Sequence, residues 1–315
     1  MKILCATDLL PRSDAAVERS GALADALKAK LTLLHVVAPI PSETALMEEL
    51  REAGVQLKER SRAPRWTHGA VPSLVVRTGD PGQVAIETAR DLRADLVVIG
   101  PHRRRTIRDA FRGSVAGNLV EGRRVPILLV RARPRRPYLN VVLALDLAEP
   151  SAQAVRYAES SGIVANASRF TVLHAYEPPY HDSFHYFGAG VSSIDAHTAV
   201  WRREYRQSIA DTLVAESVIP WRYDVVLEEG AAASVILRHV KRQAPDLLIM
   251  GTRGGGKLHR AFLGSVAREV AYQARCDVLL VPQGAPSKRR GAGLKPDARD
   301  IASTASPAHA AGMSR

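Results

Sequence analysis

The chain contains itself twice. Val142 to Asp146 (VLALD) repeats Leu4 to Asp8 (LCATD), and in each copy a serine follows the aspartate five residues later, Ser151 and Ser13. Phe170 to His174 (FTVLH) repeats Leu31 to His35 (LTLLH), Asp246 to Gly251 (DLLIMG) repeats Asp95 to Gly100 (DLVVIG), and Asp277 to Val281 (DVLLV) repeats Pro126 to Val130 (PILLV). The offset is 138 at the aspartates and 151 from Gly79 and Gly230 onward, so the second copy carries about twelve extra residues between its second and third strands. A repeat of this length means that one supersecondary plan is built twice.

Within each copy, apolar strands alternate with amphipathic helical patterns. The strands are continuous Val, Ile and Leu runs, as expected when helices cover both faces of a parallel sheet. They are expected at 2–7, 30–37, 72–77, 94–99 and 126–131, and again at 139–145, 169–175, 222–227, 246–250 and 277–282. Helical patterns run from Ala15 to Lys28, Gln83 to Leu92, Ala152 to Ile163, Ala232 to Arg242 and Ser265 to Ala274. This alternation predicts an α/β class with doubly wound sheets, whose ligands bind at the carboxyl ends of the strands.

A chain of 315 residues accommodates two such domains, expected at 1–133 and 138–284, and a tail from 285 to 315. That tail is rich in Ala, Ser, Pro, Gly and basic residues without apolar periodicity, so a disordered basic tail is expected. No apolar run approaches the roughly eighteen residues of a membrane span. Cys5 and Cys276 fall in or beside core strands of different repeats and form no metal or disulfide pattern, which points to a reducing, cytoplasmic setting. The formal charge of +12 is carried by three segments: residues 101–112, the linker 131–137 and the tail contribute four each, and the remainder is formally neutral. Without interleaved aromatics, such basic arms argue for solubility before nucleic-acid binding.

The residues richest in chemistry are Gly251, Thr252, Arg253 and Gly254, followed after nine residues by Gly264 and Ser265. A glycine directly after a buried strand lets the chain turn sharply and lets an anion approach the backbone, because no Cβ intervenes. Gly264 and Ser265 then open a helix whose unpaired N–H groups and dipole favour a phosphate. The pattern is neither a Walker A loop nor the Rossmann glycine fingerprint. Turn glycines also serve purely structural ends, and both readings stand on these residues alone.

The Gly251-x2-Gly254-x9-Gly264-Ser265 spacing, an aspartate ending the first strand and the closing Val-Leu-Leu-Val-Pro resemble the universal stress protein family, in its ATP-binding subgroup. The resemblance covers both repeats. It implies two tandem Rossmann-like, HUP-type domains, each a five-stranded parallel sheet flanked by helices, paired through their last strands as an intramolecular pseudo-dimer. It implies ATP, with Mg as an open companion, held by Asp146 at the ribose or adenine. Leu145 and Ala175 are implied along the base pocket, Met250, Gly251, Arg253 and Gly254 in the loop, and Gly264, Ser265 and Val266 at the phosphate-holding helix start. Asp146 also has a plain alternative, a turn or capping role before Pro150 and Ser151.

The first repeat departs from this pattern. Arg103 stands where Gly254 stands in the second, Pro101 stiffens the turn and Arg104 and Arg105 crowd it, while Asp8, Gly100, Gly113 and Ser114 remain. Weak or absent ATP binding is therefore expected in residues 1–133, with a scaffold or regulatory role. The second repeat has Ala231 and Ala232 where the first has Asp80 and Pro81, a difference at a helix start.

His181, Asp182, His185 and His197 lie in the insertion Pro178 to Thr198, where Pro178-Pro179 and Gly188 to Gly190 suggest a loop or lid rather than a metal site. His35 and His174 end strands and read as packed structural residues. No nucleophilic triad or metal ligand set stands out, so no catalytic or metal residue is assigned. The expected function is a cytoplasmic, ATP-binding regulatory stress-response protein with at most slow hydrolysis. Its expected partners are ATP and its own second half, with a homo-oligomer left open; membrane and nucleic-acid partners are not expected. Two alternatives remain open: an ATP-hydrolysing or nucleotidyl-transferring enzyme on this fold, and a nucleotide-free interaction module with an acidic partner.

Overall fold

The computed structural model describes residues 1–62, 71–101, 125–131, 137–147, 149–177, 191–215, 223–252 and 263–285. Ten strands form within these residues: β1 (Lys2–Ala6), β2 (Lys30–Val37), β3 (Ser73–Thr78), β4 (Leu96–Ile99), β5 (Ile127–Leu129), β6 (Asn140–Ala144), β7 (Arg169–Tyr176), β8 (Asp224–Glu229), β9 (Leu247–Gly251) and β10 (Asp277–Val281). Each expected strand is present within two residues at either end. Seven α-helices accompany them: α1 (Asp14–Leu27), α2 (Glu43–Ser61), α3 (Pro81–Leu92), α4 (Glu149–Ser161), α5 (Val191–Ala215), α6 (Ala232–Gln243) and α7 (Ser265–Gln273).

The strands make one continuous sheet in the order β3-β2-β1-β4-β5-β10-β9-β6-β7-β8. Pairing is parallel within each half, and the halves meet where Leu129, Leu128 and Ile127 of β5 run antiparallel to Val278, Leu279 and Leu280 of β10. Side-chain alternation sends Ile3, Cys5, Leu143 and Ile249 into one layer with residues of α1, α2, α4 and α5. Leu4, Val142, Leu248 and Met250 go into the other, with residues of α3, α6 and α7. Both faces are thus apolar, which is why the strands read as uninterrupted hydrophobic runs. Each fully buried Leu or Ile contributes about 1.5–3 kcal/mol.

Local sequence explains several helix ends. Asp80 accepts the Gln83 N–H at 2.9 Å with Pro81 at the first helical position, so α3 is capped. Ala231, in the same place before α6, supplies no side-chain cap. The longer insertion is accounted for between β7 and β8, and it corrects one expectation: residues 191–198, expected in a loop or lid, begin the 25-residue α5. From Val191 the sequence holds no glycine or proline until Pro220. His181, Asp182 and His185 lie outside the described residues, as do the tail from 286 and, in the first half, Arg103 to Arg105, Gly113 and Ser114.

The junction between halves is polar inside an apolar sheet. Asp277 is 3% exposed; its Oδ2 accepts the Tyr138 hydroxyl at 2.7 Å and faces Arg19 Nε at 3.3 Å, and its Oδ1 accepts the Arg131 N–H at 2.8 Å. The Arg19 guanidinium lies 4.2 Å over the Tyr138 ring. Burial, followed by the Asp277 charge, holds the Tyr138 hydroxyl well above the ordinary phenol range, so it is a fixed donor. Tyr157 adds a second tie, donating from its hydroxyl to the Asp95 carbonyl at 2.9 Å.

Burial also pushes the thiols of Cys5 and Cys276 up to about 12. Since the thiolate is the reactive form, an aromatic disulfide reagent at roughly pH 8 is expected to leave both nearly unmodified in the folded chain and to titrate both after denaturation. Rapid native labelling of either would show that its strand end opens to solvent.

Candidate functional site

β6 lies between β7 and β9, so the chain leaves it in opposite directions and a crevice opens at the carboxyl ends. Ala144 pairs with Leu173 of β7 and with Met250 of β9, which places Asp146, Ala175 and Gly251 together at that end. Met250 and Ala175 pack on the layer that contains α7, together with Val266 of its first turn. Leu145 does not join them. Its side chain packs in the opposite layer, its N–H donates to the Leu173 carbonyl at 2.9 Å, and its carbonyl lies 2.7 Å from His174 Nδ1. The first repeat does the same with His35 Nδ1 and the Thr7 carbonyl at 2.9 Å, so both histidines fasten adjacent strand ends.

Asp146 is exposed, and its Oδ1 accepts the Ser151 hydroxyl. In the first half the Ser13 hydroxyl donates to Asp8 Oδ1 at 2.8 Å. The aspartate–serine spacing in the sequence is therefore a turn device, and the turn role weighed for Asp146 is present. It relies on a residue the sequence did not single out. Leu147 and its counterpart Leu9 both adopt the left-handed region, with φ of 60° and 55°, a conformation that costs a non-glycine residue about 1–2 kcal/mol. The strained turn directly follows the carboxylate at the strand's carboxyl end in both halves.

The glycine loop is anchored at its base by Thr252, which the sequence places inside the motif without a role of its own. Thr252 is buried; its N–H donates to the Val281 carbonyl at 3.0 Å, and its carbonyl accepts the Gly264 N–H at 2.8 Å. The two ends of the loop are thereby closed onto β10 and α7. Arg253 and Gly254 lie outside the described residues. At the helix start, Gly264 provides no side-chain cap and the first turn of α7 has no acidic residue, whereas Ser42 and Asp80 cap α2 and α3. The N-terminal N–H groups of α7 meet no capping side chain of their own, which suits an anion.

The first half is built differently at the matching places. Asp8 Oδ2 receives Arg12 Nε at 2.7 Å and Nη2 at 2.5 Å. Burial would raise the Asp8 carboxyl, but bonds from Ser13, the Leu10 N–H and Arg12 outweigh it and hold it below the usual range. Position 150, the counterpart of Arg12, is proline. Pro101 matches Thr252 and has no N–H to give to the last strand. A Cβ on Gly100 would come within 3.1 Å of Ser13 Cα, so the close turn at Pro11–Ser13 leaves little room for a side chain there.

A model of the universal stress protein family matches residues 1–131 and again residues 137–282. The chain belongs to the universal stress protein family. As a tandem universal stress protein, it is similar over 89% of its length to a universal stress protein of Mycolicibacterium smegmatis, at 24% identity and covering 96% of that protein. A universal stress protein of Thermus aquaticus is 31% identical over 145 residues, 46% of this chain and 98% of the relative. The crystal structure of a universal stress protein from Archaeoglobus fulgidus superposes over 90% of this chain and 98% of its own, with a TM-score of 0.64 and 19% identity. Among the described residues, no group of three or more His, Cys, Asp or Glu is placed to hold a metal, and no helix is long and apolar enough to cross a membrane.

Proposed function

We propose that this universal stress protein binds ATP at one site per chain, in the crevice of the second half, and that occupancy of that site serves a regulatory role in the cytoplasm. The observation that carries the reading is the arrangement around Thr252: a loop closed at its base onto β10, opening directly into a helix start with neither a capping side chain nor an acid. Phosphate oxygens suit that helix start, with the Ser265 hydroxyl as a further donor. Asp146, across the crevice, is at the strand end where a carboxylate accepts hydrogen bonds from ribose hydroxyls. Met250, Ala175 and Val266 offer apolar surface on the same layer. Arg253 and Gly254 complete the loop in this reading, and Leu145 contributes its backbone and packing rather than a wall of the pocket.

Domain boundaries at 1–133 and 138–284 fit this division of labour, with the first half as partner rather than second site. Asp146→Ala is expected to weaken ATP binding about tenfold, by loss of a charge-assisted hydrogen bond, in isothermal titration of the full chain. Unchanged affinity would remove Asp146 from the site and return it to its turn role alone.

A further inference from the structure

We propose that Arg131, at the end of the first half, is a positioning residue for the phosphate-binding helix of the second, so that the first half acts on nucleotide affinity; this rests on the ATP reading above. Arg131 follows β5. Its backbone N–H is held by Asp277 Oδ1 at 2.8 Å, and its guanidinium Nη2 donates to the carbonyl of Ala271. Ala271 lies in the last turn of α7, the helix whose other end is the Gly264–Ser265 start.

That helix has nine residues and no basic residue of its own in its last turn. Nine residues span only about 14 Å, so its two ends are not independent. A helix ends in carbonyls that lack intrahelical partners and carry partial negative charge. In α7 the cation that meets them comes from the other half of the chain. It fixes the last turn, and with it the direction in which the first-turn N–H groups point. Its charge also adds to the positive potential at the phosphate end.

The arrangement runs one way. By the repeat offset Arg131 corresponds to Pro282 and Ala271 to Val120. Pro282 brings no cation to the first half. Asp277, which anchors Arg131, corresponds to Pro126, so the anchor is also unreciprocated. Both differences favour the second half, the half to which the nucleotide is assigned.

The test is titration of ATP and of adenosine into the full-length protein, as wild type, Arg131→Met and Arg131→Lys, with urea unfolding followed in parallel. Arg131→Met is expected to bind ATP about three- to tenfold more weakly, with adenosine affinity nearly unchanged, while Arg131→Lys retains most of the ATP affinity. A merely structural role would weaken both ligands alike, and that result overturns the proposal, as does ATP affinity unchanged in Arg131→Met. A wild-type chain that binds no ATP would instead bring down the nucleotide reading itself, and this inference with it. Should Arg131→Met not fold, Arg131→Gln takes its place with the same expectation.

Discussion

Asp277→Ala is expected to destabilise the chain by about 3–5 kcal/mol, the usual cost of breaking a buried ion pair by removing one partner. Asp277 is 3% exposed and Arg19 is 8% exposed. Alanine removes the carboxylate that faces the Arg19 guanidinium and leaves the buried Tyr138 hydroxyl and the Arg131 N–H without their acceptor. A group desolvated by folding and then left unsatisfied costs far more than the net value of its hydrogen bond. The measurement is equilibrium urea unfolding. Replacing the pair together, Arg19→Met with Asp277→Leu, is expected to recover only the part of the loss that comes from the uncompensated Arg19 charge, because the Tyr138 hydroxyl and the Arg131 N–H still lack their acceptor. A loss below about 1 kcal/mol in Asp277→Ala would mean that water reaches the cluster and that apolar pairing of β5 with β10 alone joins the halves.

Gly254→Arg carries the second large effect, a fall in ATP affinity of at least about a hundredfold, or roughly 2.7 kcal/mol. The substitution places in the second loop the residue that the first has at position 103. The phosphate reading requires the backbone of the loop to come close to the ligand, which only a residue without a Cβ permits. Thr252 would still clamp the loop base through Val281 and Gly264, since those bonds involve main-chain atoms alone. Urea unfolding in parallel reads out any effect of the substitution on stability. Loss of ATP binding with unchanged stability would assign the effect to the ligand.

The repeat made the sheet legible before any coordinates. Strands buried on both faces advertise themselves as unbroken apolar runs, and each of the ten lies where the sequence placed it, to within two residues. The helices α2 and α5 were less visible. α2 exposes Met47 and Val55 among charged residues, which blurs its period, and α5 follows a proline- and glycine-rich stretch that argued for a loop.

The site was legible as residue types and not as geometry. Asp146 and Gly264–Ser265 stood out because glycines and strand-end acids break the apolar pattern. Thr252 is visible there only as a member of the motif, since its contribution is made by its N–H and carbonyl and any non-proline residue has those. That same fact gives Pro101 its meaning, which emerges only when the Val281 carbonyl is seen to need a donor. The Arg12 clamp on Asp8 was readable as an i,i+4 pair, whereas the Arg19–Asp277 and Arg131–Ala271 contacts join residues 258 and 140 positions apart, and no local pattern signals them. Leu145 sits beside Asp146 in sequence, but its side chain continues the alternation of Val141 and Leu143 into the layer opposite Met250 and Ala175.

The central claim is that two copies of one fold now divide into a nucleotide site and a partner that supports it. The most direct test is the stoichiometry of ATP binding by the full-length chain, measured by calorimetric titration beside Gly254→Arg. One ATP per chain, abolished by the substitution, is the predicted result; two per chain, none, or one that survives Gly254→Arg would contradict it.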